Sequence, residues 1–95
     1  MADETRHDPE RRRFLIDTEG GEAHLDYVDA GDRTLDYRHT FVPEALRGRE
    51  IGARLVKDAL DWARENGYRV IPSCPFVRRI VDRNPEYRDL VAEGG

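Results

Sequence analysis

A chain of 95 residues has room for one domain, expected over residues 1–95 with a single modest core and no separate substrate domain. Its apolar and charged fractions are both 38%, which suits a globular protein with a heavily charged surface, and its formal net charge of −4 argues against general affinity for nucleic acid. Its one cysteine, Cys74, excludes an intramolecular disulfide and a multi-cysteine zinc site. His7, His24 and His39 lack metal-ligand spacing, so no metal is expected. No apolar run approaches the length of a membrane span, and residues 1–13 are too polar for a secretory signal, which makes the cytoplasm the expected compartment. Lys57 is the lone lysine, a bias toward arginine that reads first as a habit of base composition.

Residues 1–12 and 92–95 are expected to be flexible, with Arg11, Arg12 and Arg13 read as a solvated strand edge. Residues 14–17 read as a short strand closed by the turn signal Glu19-Gly20-Gly21. Over residues 22–29, Ala23, Leu25 and Tyr27 alternate with His24, Asp26 and Val28, the pattern of a half-buried strand. Asp29-Ala30-Gly31-Asp32 is the expected hairpin turn. The next strand, about 33–42, puts Leu35, Tyr37, His39 and Phe41 on one face. These segments predict a three-stranded antiparallel meander that stops at Pro43, which lacks the N–H a ladder needs.

From residue 50 or 51 to 66 the period changes to helical, with Ile51, Leu55, Val56, Ala59, Leu60, Trp62 and Ala63 forming a stripe wide enough to cover a sheet. Gly67 is the expected left-handed terminator. Residues 68–71 then make a fourth strand, parallel to the third after a right-handed helical crossover. Pro75 suits the first position of a further helix, with Cys74 as N-cap, and Asn84-Pro85 starts a short last helix carrying Tyr87, Leu90 and Val91.

Residues 47–53 hold the strongest chemical signal. The first turn of a helix leaves backbone N–H groups unpaired at the positive end of the macrodipole, and an anion there gains hydrogen bonds and field together. Arg47 and Arg49 add guanidinium forks suited to phosphate oxygens, while Gly48 and Gly52 let the backbone approach a ligand closely. The stretch is suited to holding a pyrophosphate.

The run Thr40-Phe41-Val42-Pro43-Glu44 leading into Leu46-Arg47-Gly48-Arg49-Glu50-Ile51-Gly52 resembles motif A of the GCN5-related N-acetyltransferases, whose consensus is Arg/Gln-x-x-Gly-x-Gly/Ala. Pro72-Ser73-Cys74-Pro75-Phe76-Val77 and Asn84-Pro85-Glu86-Tyr87 narrow the resemblance to the minimal single-domain branch called YjdJ-type, from about residue 13 to 91. The resemblance implies an α+β, truncated acyl-CoA N-acyltransferase (GNAT) fold: the meander, the motif A helix, and a parallel fourth strand that splays away to form a cleft for acetyl-CoA. It implies acetyl-CoA as acetyl donor, an unidentified amine as acceptor and no metal; charge and hydropathy already argue against nucleic-acid and membrane partners, and the oligomeric state is left open. The pyrophosphate would meet Arg47, Gly48, Arg49, Glu50, Ile51, Gly52 and Ala53, and the pantetheine arm the backbone of Phe41 and Val42. The chain departs from the consensus at Glu50, which stands where the first glycine belongs.

Three residues carry the candidate chemistry. Cys74 is either a buried small hydrophobe or, by the resemblance, the acceptor of an acetyl-cysteine intermediate, its thiolate favoured by the positive end of the helix. His39 is either a core histidine or the general base, imidazole being the side chain suited to proton removal near neutral pH. Tyr87 is either a buried anchor or, by analogy with larger relatives, the general acid toward the CoA thiolate. A CoA-binding or protein-interaction module with little turnover is the competing function, motivated by Glu50 and by the small surface left for an acceptor.

Overall fold

The computed structural model describes residues 4–46 and 50–92. Its five-stranded sheet keeps the order of the chain: β1 (Thr5–Asp8), β2 (Arg13–Thr18), β3 (Gly21–Gly31) and β4 (Thr34–Phe41), then, after α1 (Ile51–Glu65), β5 (Arg69–Ile71). α2 (Pro75–Arg83) and a 3-10 helix (Pro85–Leu90) follow. β1 to β4 pair antiparallel, and β5 joins β4 in parallel with Thr34 opposite Arg69 and Asp36 opposite Ile71. Among the described residues no helix is long and apolar enough to cross a membrane.

The core lies between one face of this sheet and α1. Alternation sends Phe14 and Ile16, Ala23, Leu25 and Tyr27, Leu35 and Tyr37, and Val70 to that face, where they meet Leu55, Val56, Ala59, Leu60 and Ala63 of α1. Burying each of the larger side chains stabilises the fold by about 1.5–3 kcal/mol. Tyr37 is fully buried, and its hydroxyl donates to the Ala59 carbonyl oxygen at 2.7 Å, which fixes the height of α1 over β4. Burial raises the Tyr37 pKa, so the phenol stays un-ionised and keeps its donor.

The sheet has one strand more than the alternation predicts. Thr5–Asp8, expected to be flexible, pairs along β2 from Thr5 opposite Ile16 to Asp8 opposite Arg13. Thr-Arg-His-Asp carries no apolar alternation, and its attachment comes instead from side chains reaching over the core. Thr5 Oγ1 donates to Asp58 of α1 at 2.6 Å. The His7 ring stacks on Phe14 and meets Trp62 edge-on, both at 4.5 Å between centroids, while its Nε2 lies 2.6 Å from the Tyr27 hydroxyl.

Burial lowers the His7 pKa below 6.5, an effect that outweighs the opposing pull of Asp8. The unfolded chain therefore takes up this proton first as pH falls. The stability that neutral His7 contributes is complete above pH 6.5 and is lost as pH falls through the lower folded value. Thermal melts from pH 7.5 to about 5 should show a steeper loss in the native chain than in His7→Phe, which keeps a ring but cannot titrate. Parallel slopes would remove His7 as the source.

The hairpin between β3 and β4 turns later than the Asp29–Asp32 signal suggests. β3 runs on to Gly31, and the turn is Asp32-Arg33, both with positive φ (53° and 55°), as a two-residue type I′ turn requires. An irregularity in register between Asp29 and Gly31 absorbs the extra length. Arginine in a left-handed conformation costs about 1 kcal/mol, and its contacts offset this. The Arg33 guanidinium donates to the Asn66 and Gly67 carbonyls and lies 4.4 Å over the Tyr68 ring, so the hairpin grips the end of α1. Gly67 (φ 78°) ends that helix as predicted, with the Tyr68 N–H returning to the Ala63 carbonyl at 2.8 Å.

Candidate active site

The pairing of β4 with β5 covers only Thr34–Asp36, because β5 ends at Ile71 and the chain turns off through Pro72. From that point β4 continues without β5 beside it, and the space between them opens. Cys74 stands just past this turn: its N–H donates to the Tyr37 carbonyl at 3.0 Å, and its own carbonyl accepts from Arg78 N–H at 2.9 Å as α2 begins. Cys74 is 6% exposed and occupies the N-cap of α2 without any side-chain hydrogen bond to the helix. Pro75 follows it at the first helical position, as expected.

A bulge in β4 redistributes the side chains that simple alternation assigns to one face. Tyr37 opposes Tyr27 and His39 opposes Asp26, which leaves Arg38 unmatched and shifts the parity beyond it. Leu35 and Tyr37 face α1, whereas His39 and Phe41 turn to the other face; both are exposed, Phe41 by 43%. This corrects the expected common face. His39 sits in that outer row with His24, 6.3 Å away ring to ring, and His24 in turn packs 5.4 Å from Phe41. Thr40, assigned by alternation to the outer face, points inward, with Oγ1 3.5 Å from Cys74 Sγ.

The opened space is a cavity of about 520 Å³ lined by Thr40, Val42, Leu46, Glu50, Ile51, Gly52, Ala53 and Phe76. Its walls are mainly apolar, and the first turn of α1 points into it. The N–H groups of that turn have no acceptor within the helix, and Glu50 makes no side-chain cap to satisfy them. Gly52 is what lets the turn come so close: a Cβ there would lie 3.1 Å from Val42 Cγ2 and 3.2 Å from Phe76 Cε2. An apolar slot ending on free N–H donors suits an extended chain followed by phosphate. A second cavity, of about 530 Å³ between β1 and α1, does not fit an anion, because Glu4, Asp58, Asp61 and Glu65 outnumber Arg6 and Arg54 there.

Glu50 precedes α1 with φ 62° and ψ 19°, a left-handed conformation. The motif's glycine slot is thus a backbone requirement that glutamate meets under strain, costing roughly 1 kcal/mol. Glu50→Gly should raise stability by about that amount and, by removing a carboxylate from the cavity wall, raise severalfold the affinity for a phosphate-bearing probe such as acetyl-CoA. Thermal melts and calorimetric titration check the two parts. Unchanged or poorer affinity removes Glu50 as a handicap.

Of the residues singled out in the sequence, the fold brings Val42, Glu50, Ile51, Gly52 and Ala53 to one cavity, with the Phe41 backbone between Thr40 and Val42 and with Cys74 directly behind Thr40. Arg47, Gly48 and Arg49 lie outside the described residues. Tyr87 is not brought to the cavity: it is buried, and its hydroxyl donates to Asp61 of α1 at 3.0 Å. Burial and this acceptor push its pKa up to about 12, which keeps the proton on the phenol. Thr40, Leu46 and Phe76 are wall residues that sequence reasoning did not select. The bulge at Arg38 that turns Thr40 inward leaves no mark in the alternation. Among the described residues no group of three or more His, Cys, Asp and Glu is arranged to hold a metal ion.

Comparison with known proteins agrees with this geometry. The family profile described as GCN5-related N-acetyl-transferase matches residues 13–90. Protein NATD1 of Danio rerio is 41% identical over 81 residues, covering 83% of this chain and 74% of the relative. Protein NATD1 of Homo sapiens is 38% identical over 81 residues, covering 83% and 72%. The NMR structure of a GCN5-like protein from Staphylococcus aureus superposes with a TM-score of 0.74 at 27% identity, over 97% of this chain and 91% of that one.

Proposed function

Since the chain belongs to the GCN5-related N-acetyltransferase family, we propose that the cavity between β4 and the start of α1 binds acetyl-CoA and that the protein transfers its acetyl group to an amine. The observation that carries this is Gly52, whose missing side chain leaves a slot between Val42 and Phe76 leading to the unpaired N–H groups of α1. The thioester would supply an activated acetyl carbon, and the slot would direct that carbon toward the point where Thr40 and Cys74 meet.

Two routes share this pocket. An amine attacks the thioester directly, or Cys74 accepts the acetyl group first and passes it on. The second is favoured by the position of Cys74 directly behind the cavity wall residue Thr40, and by His39 standing on the opposite face of the sheet, away from Sγ. Incubation with acetyl-CoA alone should leave a 42 Da adduct on Cys74 (about the mass of an acetyl group replacing a proton), and Cys74→Ala should lose amine-dependent CoA release by roughly two orders of magnitude. An unchanged rate in Cys74→Ala, with acceptor present, leaves the direct route. A CoA-binding module is the competing function, favoured by Glu50 in the glycine slot. Binding without amine-dependent release of CoA, across monoamines, polyamines and lysine peptides, decides for it.

A further inference from the structure

We infer that Thr40 is the positioning residue for Cys74: its hydroxyl holds Sγ toward the cavity and donates its O–H to the sulfur as the thiol gives up its proton. This rests on the acetyl-Cys74 route above. The backbone of Cys74 is fixed on both sides, by its N–H on the Tyr37 carbonyl at 3.0 Å and by its carbonyl on Arg78 N–H at 2.9 Å. The helix end does little for the sulfur directly, because Cys74 makes no side-chain cap and Pro75 has no N–H to offer. Thr40 Oγ1, at 3.5 Å, is the polar atom that touches Sγ among the described residues, and either atom can be the donor. Thr40 also lines the cavity, while the sulfur sits just behind it. It reaches this place only because the bulge at Arg38 turns position 40 inward and position 39 outward.

In the cycle, Sγ bonds to the acetyl carbon as the bond from that carbon to the CoA sulfur breaks, and the thiol proton ends on CoA as its free thiol. The acceptor nitrogen then bonds to the same carbon, the bond to Sγ breaks, and one amine proton returns to Cys74. Thr40 neither gains nor loses a proton overall. A hydroxyl that accepts from S–H and donates to S⁻ by rotating about its C–O bond serves both stages.

Thr40→Val keeps the shape and removes the hydroxyl; Thr40→Ser restores it. Cys74 acetylation by acetyl-CoA, followed by intact mass, and Cys74 alkylation by iodoacetamide should both slow about tenfold or more in Thr40→Val, the size of a lost hydrogen bond to a charged group. Thr40→Ser should stay within about threefold of the native rates, with acetylation read at saturating acetyl-CoA so that a change in affinity does not enter. Native alkylation rates in Thr40→Val, or a Thr40→Ser as slow as Thr40→Val, overturn the assignment. If acetyl-CoA leaves no adduct on the native protein but the alkylation difference between Val and Ser persists, the acetyl-Cys74 route fails and the role of Thr40 toward the thiol stands.

Discussion

Acetyl-CoA binding is expected to weaken about tenfold in Gly52→Ala and to become undetectable by calorimetry in Gly52→Leu, with the fold intact in both. A new Cβ at position 52 meets Val42 at 3.1 Å and Phe76 at 3.2 and 3.3 Å, so both side chains must give by a few tenths of an ångström. They are the walls of the slot, and they can give only by closing it or by pushing α1 off the sheet. Two energies then compete. Overpacking costs about 1–3 kcal/mol, while alanine in place of glycine gains about 0.8–1 kcal/mol of helix propensity. The net cost for alanine is small beside a domain stability of roughly 5–15 kcal/mol, which makes a binding defect readable without unfolding. Circular dichroism should report native helix content and, for alanine, a melting temperature lowered by no more than about 10 °C. An affinity within about twofold of native for Gly52→Leu would remove this cavity as the acetyl-CoA site.

The largest stability effect is expected at Tyr37. Its ring is fully buried among Phe14, Tyr27 and α1, its hydroxyl is tied to Ala59, and its carbonyl holds the N–H of Cys74. Tyr37→Ala should cost about 3–5 kcal/mol, most of it from the cavity left behind. In a domain of this size that corresponds to a drop of roughly 15–30 °C in melting temperature. Tyr37→Phe removes only the hydrogen bond and should cost about 1 kcal/mol, because Ala59 still has its place in the helix. Denaturant melts of the two variants separate packing from hydrogen bonding. A Tyr37→Phe as unstable as Tyr37→Ala would put the weight on the hydroxyl instead.

The elements written in composition were legible from the chain alone. The stripe from Ile51 to Ala63, Gly67 at its end, Pro75 at the next beginning and the alternation of Ala23, Leu25 and Tyr27 each express a local rule, and each appears in the fold. The features that escaped depend on partners distant in the chain. β1 is held by His7 and Thr5 reaching to Trp62 and Asp58, which no window over Thr-Arg-His-Asp can foresee. The bulge at Arg38 follows from the way β3 and β4 pair, and it reassigns every side chain after it. The candidate site divides along the same line. Gly52 and Cys74 were visible as motif residues, whereas the inward turn of Thr40 exists only in register.

The agreement between chain order and strand order bears on how the protein comes to fold. Hairpins between successive strands close short loops, so the four-stranded meander carries little loop-closure entropy and is expected to be the fast, early part of folding. β5 can dock only after α1 has formed and crossed over, and the bridge from Val70 to Val91 waits for the C-terminal segment in its turn. Pulsed hydrogen exchange should therefore protect amides of β2 and β3 before those of α2. Every wall of the slot past Val42 belongs to the later group, so a chain arrested on the way would hold a finished sheet and no place for a ligand.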